Sequence, residues 1–250
     1  MTSIPTLEML LAEAAPRLTE RVVGEMYADA FWQARFGDRG RRHAGQDGGS
    51  HVQYVVEALV AADQRVFTEY ASWLRGVLVP RGMCSRHLAE NFDRLASAIS
   101  QEPWPDRDRA VAMLRAGTEA LVHTSGDAGA IDAVRSSLAS ETAALLYTLH
   151  PDWLERSGDP ARTRCVDDLD YHLSYLADAL ACAERERFVA HIVFVAGFLG
   201  RSGVPVGHLR ESLVALTTVI RSRFPATTGT PFQFLEAAGD ALDPERCGHA

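Results

Sequence analysis

The stretch VDDLDYHLSYLADALA, Val166 to Ala181, decides the fold. Leu169, Leu173, Leu176 and Leu180 recur at steps of four, three and four, the spacing that lines one face of an α-helix. No segment of useful length alternates apolar and polar residues as a half-buried strand does. The same helical reading extends outward, in stretches separated by turn residues, over nearly the whole chain of 250 residues.

Moving upstream by 121 positions finds a second version of this segment. At that offset residues 35 to 99 align with 156 to 220 without a gap, and 19 of the 65 pairs are identical. They include Arg35 with Arg156, Gly37 with Gly158, Asp38 with Asp159, Asp47 with Asp168, His51 with His172 and Tyr54 with Tyr175. Further on, Phe67 meets Phe188, Gly82 meets Gly203, His87 meets His208 and Glu90 meets Glu211, while upstream Trp32 meets Trp153. The expected architecture is all-α: two tandem copies of a four- to five-helix bundle related by internal duplication, residues 1–124 and 125–250.

In copy one, helices are expected over roughly 6–33, 38–62, 64–80, 85–100 and 105–122, and in copy two over roughly 130–149, 160–182, 185–201, 205–222 and 231–241. Gly82 and Gly203 mark helix ends, Pro205 marks a helix start, and Thr124-Ser125-Gly126-Asp127 separates the copies. Gly45, Gly48 and Gly49 stand where copy two has Val166, Leu169 and Asp170. Glycine costs a helix interior about 0.5 to 1 kcal/mol relative to alanine, so the second helix of copy one should start late or kink.

Composition excludes several functions. All 25 basic residues are arginine, which removes Schiff-base, P-loop and kinase-type lysine chemistry. A net charge of -8 argues against a phosphate-backbone partner, and no apolar run is long enough to cross a bilayer. Cys84, Cys165, Cys182 and Cys247 lack metal-type or redox spacing and fit free thiols in a reducing, cytoplasmic setting. Hydrolase, metalloprotease and dinucleotide motifs are absent.

The sharpest repeated constellation is Asp168, His172 and Tyr175, matched by Asp47, His51 and Tyr54. Steps of four and three put all three on one helical face, where a carboxylate one turn before a histidine can hold its proton and leave the other nitrogen as a ligand or base. The same residues serve equally as a polar layer that fixes helix register. His208 with Glu211 (and His87 with Glu90) adds ligand types, giving His172, His208 and Glu211 as a metal set, although the Glu-x-x-His pattern of di-iron bundles is missing. The plain reading of His-x-x-Glu is a surface histidine beside a helix start. An interior histidine can also ligate haem or another tetrapyrrole, with Phe67, Trp73, Phe188 and Phe194 lining an apolar pocket, unless those rings are simply core. Arg35, Arg41, Arg156 and Arg162 with Asp38 and Asp159 read as turn and surface ion pairs.

The copy-two pattern ERSGDPARTRCVDDLDYHLSYLADAL, then GFLGRSGVPVGHLRESL, resembles a helical region found just upstream of cobalamin-binding domains in bacterial regulatory or sensory proteins. Copy one resembles it through ARFGDRGRRHAGQDGGSHVQYVVEALVAADQRVF and WLRGVLVPRGMCSRHL. The resemblance implies an input or regulatory bundle rather than an enzyme, with Asp168, His172 and Tyr175 on its most recognisable part. The Asp-x-His-x-x-Gly cobalamin-ligand motif does not occur here, which implies a double unit that binds its own ligand or docks on another protein.

Together these readings lead to an expected non-enzymatic, cytoplasmic ligand-sensing or regulatory protein. It would bind a small hydrophobic molecule, a tetrapyrrole among them, near His172 and His51, with no nucleic acid or membrane partner. A metal-dependent enzyme using the Asp/His/His/Glu sets, and a structural protein-protein adaptor, are the competing readings; homo-oligomers are compatible with each.

Overall fold

Two helices of 32 residues organise the chain: α2, Ala30–Ala61, and α8, Pro151–Cys182, which begin 121 positions apart. The computed structural model describes residues 5–225 and 229–243, and of residues 154–159 the backbone only. The readings of Arg156, Gly158, Asp159 and Cys247 therefore lie outside the described side chains. All regular structure among the described residues is helical.

The chain divides into two compact units between Leu121 and Val122. Unit 1 holds α1 (Leu7–Tyr27), α2, α3 (Arg65–Leu78), a 3-10 turn at Val79–Arg81, α4 (Ser85–Ser100) and α5 (Arg107–Ala120). Unit 2 holds α6 (Gly126–Asp132), α7 (Arg135–Leu149), α8, α9 (Arg185–Arg201), α10 (Val206–Arg223) and α11 (Thr230–Asp240). In unit 1, α1 packs on α2 and α4, α2 on α3, and α5 on α3 and α4. Unit 2 repeats these pairings with α7, α8, α9, α10 and α11 in the same order.

The ends of the elements correspond as well. Both long helices close with an alanine in the left-handed region, Ala62 at φ 50° and Ala183 at φ 54°. In each, the next amide reaches back to close the last turn: Asp63 N–H to the Ala58 carbonyl at 3.0 Å, and Glu184 N–H to Ala179 at 2.9 Å. This is a Schellman end, which normally uses glycine because an L side chain in that region costs about 1 kcal/mol. Gly82 and Gly203 supply the second left-handed turn, at φ 92° and 79°.

The leucine stripe lies in the core as the spacing requires: Leu169, Leu173 and Leu176 are buried. Phe67, Phe92 and Phe188 are fully enclosed, each contributing about 1.5 to 3 kcal/mol of apolar burial.

Three expectations are corrected. The helix expected over 130–149 is broken into α6 and α7. The helix expected from 160 starts at Pro151. The kink in α2 falls at Gly37, at φ 59° and ψ −166°, and the helix runs on through Gly45, Gly48 and Gly49. Gly48 has a packing reason to be bare, since a methyl there would come within 2.6 Å of Thr19 Cγ2 on α1.

Candidate functional site

On α8, His172 and Tyr175 project three residues apart toward α9 and are 5% and 4% exposed. Nδ1 of His172 lies 3.0 Å from Nε2 of His191 on α9, and the Tyr175 ring stacks on His191 with centroids 3.6 Å apart. One imidazole must donate and the other accept, so the pair carries complementary tautomers. Unit 1 has the same arrangement with one member changed. His51 Nδ1 meets Tyr70 Oη at 2.7 Å, and Tyr54 stacks on Tyr70 at 3.9 Å. In both units the partner follows the histidine by 19 residues.

Burial governs the charge of these rings. Without a carboxylate to offset desolvation, it pushes His51 down to about 3 and His172 to about 4, so both are neutral at neutral pH. Burial also pushes the Tyr70 phenol up, which keeps it protonated. The arrangement therefore presents a neutral imidazole fixed through Nδ1, with Nε2 outside the pair.

The carboxylates expected to hold these imidazoles do not do so. Asp168 is 42% exposed and accepts from Nε of its neighbour Arg164 at 3.1 Å. One turn before His172, it points off the buried face. Asp47 is half-buried, its carboxyl raised by desolvation, while His51 bonds to Tyr70 instead.

The metal set of His172, His208 and Glu211 is not assembled either. No group of three or more His, Cys, Asp or Glu side chains among the described residues is placed to hold a metal ion. His208 stacks on Trp153 at 3.9 Å, and His150 stacks on the same indole at 4.2 Å. Glu211 sits 3.7 Å from His150. The repeated partner His87 is no surface residue. It is 1% exposed, lies against Trp32 at 4.8 Å, and its Nδ1 accepts the Cys84 amide at 3.2 Å, capping α4.

No protein-family model matches this chain. Nor does any curated protein or solved structure.

Of the rings expected to line a ligand pocket, Phe67 and Phe188 are core, whereas Trp73 is 60% exposed. Among the expected ion pairs, Arg41 lies over the Tyr27 ring at 5.5 Å and Asp38 accepts from Gln33 at 3.0 Å.

A second polar cluster, not singled out from the sequence, sits where α8 meets α6 and α7. Asp170, Ser174 and Asp178 form a buried stripe at steps of four. Arg135 donates to Asp170 at 3.0 Å and to Asp132 at 2.6 Å. Asp132 also accepts the His123 amide at 2.8 Å, and His123 Nε2 lies 2.8 Å from Asp178. The 121-residue comparison hides this network, because Asp132, Arg135 and Asp170 face Leu11, Ala14 and Gly49 in unit 1.

Proposed function

We propose that the chain is a non-enzymatic, ligand-responsive regulatory protein made of two copies of one helical unit, the second of which holds a small hydrophobic molecule beside His172. The observation that carries this reading is the anchoring of His172 by His191. The contact orients the imidazole, and with Nδ1 as the donor of that pair Nε2 is bare and serves as a ligand atom.

A tetrapyrrole is the chemical class that uses a buried neutral histidine in helical, apolar surroundings. When bound, it would supply a metal for a nitrogen ligand: His172 Nε2 would hold it, His191 would orient the imidazole, and the leucine stripe of α8 would keep the surroundings apolar. At the matching place in unit 1, His51 is held by the different partner Tyr70, and the ligand reading is confined to unit 2.

Duplication is supported by the shared offset of 121 in the long helices, the two alanine ends and the two glycine turns. A cytoplasmic setting is supported by Cys84, Cys165 and Cys182, which form no disulfide among the described residues. A regulatory role agrees with the resemblance to helical regions beside cobalamin-binding domains.

The test is titration of the full chain with haemin, followed by absorption. A saturable Soret band in the native protein, lost in His172→Ala with helical circular dichroism unchanged, is the expected result. Equal bands in both proteins, or none in either, would overturn the reading.

A further inference from the structure

We propose that unit 1 carries single-electron oxidation from its surface into its core along Trp73, Tyr70 and His51. This is a separate activity from ligand binding in unit 2 and rests on different residues.

Trp73 on α3 is 60% exposed, unusual for so large an apolar ring. Tyr70 lies one turn earlier on the same helix and is 5% exposed, with ring centroids 6.1 Å apart and planes inclined by 30°. An indole in solvent is thus in near contact with a buried phenol. Tyr54 covers a face of that phenol at 3.9 Å, and His51 Nδ1 lies 2.7 Å from its hydroxyl. In the His51 tautomer that carries its proton on Nε2, the phenol donates to that Nδ1 and the imidazole accepts, which is the form the proposal uses.

This is an arrangement in which a phenol can lose an electron while its proton passes to a hydrogen-bonded base. A one-electron oxidant in solvent, such as a photo-oxidised metal complex or an inorganic radical, takes an electron from Trp73 and leaves an indole radical cation. Tyr70 returns an electron to Trp73. Its O–H bond breaks and the proton moves to His51 Nδ1, forming the new N–H bond. The products are the reduced oxidant, a neutral indole, a neutral phenoxyl radical and an imidazolium. The single positive charge passes from the indole to the imidazole. Asp47 acts electrostatically on Tyr70, and its carboxylate favours a positive charge at that pair.

Unit 2 contains an internal contrast. His191 stands where unit 1 has Tyr70, and Phe194 stands where it has Trp73. Imidazole and phenyl rings give up an electron far less readily than phenol and indole, so the matching positions of unit 2 do not repeat the route.

The test uses the full chain and flash-generated tris(bipyridine)ruthenium(III) as oxidant, with transient absorption and electron paramagnetic resonance as readouts. An indole radical is expected to decay as a long-lived phenoxyl radical grows, with slower growth in heavy water because the proton moves with the electron. Tyr70→Phe is expected to abolish the phenoxyl signal and prolong the indole radical. That variant removes a buried hydrogen bond, so Trp73→Phe, at an exposed ring, supplies a second arm in which the phenoxyl yield falls several-fold. An undiminished phenoxyl yield in Trp73→Phe, or a persistent one in folded Tyr70→Phe, would overturn the proposal.

Discussion

His172 Nδ1 and His191 Nε2 face each other at 3.0 Å between α8 and α9, one nitrogen of each buried ring serving the other. At the same place in unit 1 the partner is a phenol, and the stacked tyrosine is kept. The site is thus a shared frame with one interchangeable member.

That interchangeability can be measured. His191→Tyr, which copies the unit 1 pair and keeps a hydrogen-bond partner for His172, is expected to cost about 1 to 3 kcal/mol, the range for adding volume to a packed core. His191→Ala leaves a buried His172 nitrogen without its partner and opens a void. A loss of about 2 to 5 kcal/mol in urea unfolding is expected. Equal losses for both variants would show that the anchor contributes nothing.

Buried neutral imidazoles make the fold acid-sensitive. Burial holds His51 and His87 near 3 and His172 near 4, against an ordinary value of 6.5. Between those values the unfolded chain binds protons that the folded chain refuses. The stability they contribute is present above about 6.5 and is lost as pH falls toward the folded values, with a slope of about 1.4 kcal/mol per unit for each ring. Melting temperature should fall steadily from about pH 7 to pH 5. A flat profile there would refute the neutral, buried assignment.

The glycines of α2 separate two kinds of substitution. Gly48→Ala would press a methyl to 2.6 Å from Thr19 Cγ2 and should cost about 1 to 3 kcal/mol. Gly45→Ala and Gly49→Ala meet nothing within 4 Å and should stabilise by about 0.5 to 1 kcal/mol. Chemical denaturation of the three variants ranks them directly.

The left-handed alanines predict a gain. Ala62→Gly and Ala183→Gly each relieve a strained helix end and should each stabilise by about 0.5 to 1 kcal/mol, read as a raised urea midpoint. A loss at either position would mean that the alanine methyl contributes more through packing than it costs in backbone conformation.

Arg135 is the cation between Asp132 and Asp170, whose side chains are 2% and 5% exposed. Arg135→Ala leaves two buried carboxylates without it, a change expected to cost about 3 to 5 kcal/mol and to be seen as a large fall in thermal midpoint. Restoration of much of that loss by Asp170→Asn in the same chain would identify the cause as charge rather than volume.

The amphipathic stripe of α8 and the glycine turns were legible because they depend on local spacing: Leu169, Leu173 and Leu176 needed only the helical period to find the core, and Gly82 and Gly203 needed only their backbone freedom. The site was half legible. His172 and Tyr175 share the buried face that their three-residue step implies, yet Asp168, four residues before His172, turns to Arg164 at the surface. Spacing along one helix gives a face but not what lies opposite it. His191 escaped notice because matching by identity discards a position that reads tyrosine in one half and histidine in the other. The shared 19-residue step from each repeated histidine was the available signal. The Arg135 network depended on a break between α6 and α7 that brings together residues with no counterparts upstream.

The bare α-carbon of Gly48 against Thr19 also limits what this chain can inherit. A register of 121 residues invites recombination between the halves. Yet α8 carries a leucine, Leu169, at the matching position, where unit 1 has no room for even a methyl, and α2 carries no side chain where unit 2 buries that leucine. A product of crossing-over within these helices would wedge one half open and hollow the other. The two long helices share a register but not a packing partner at this position, so neither could replace the other.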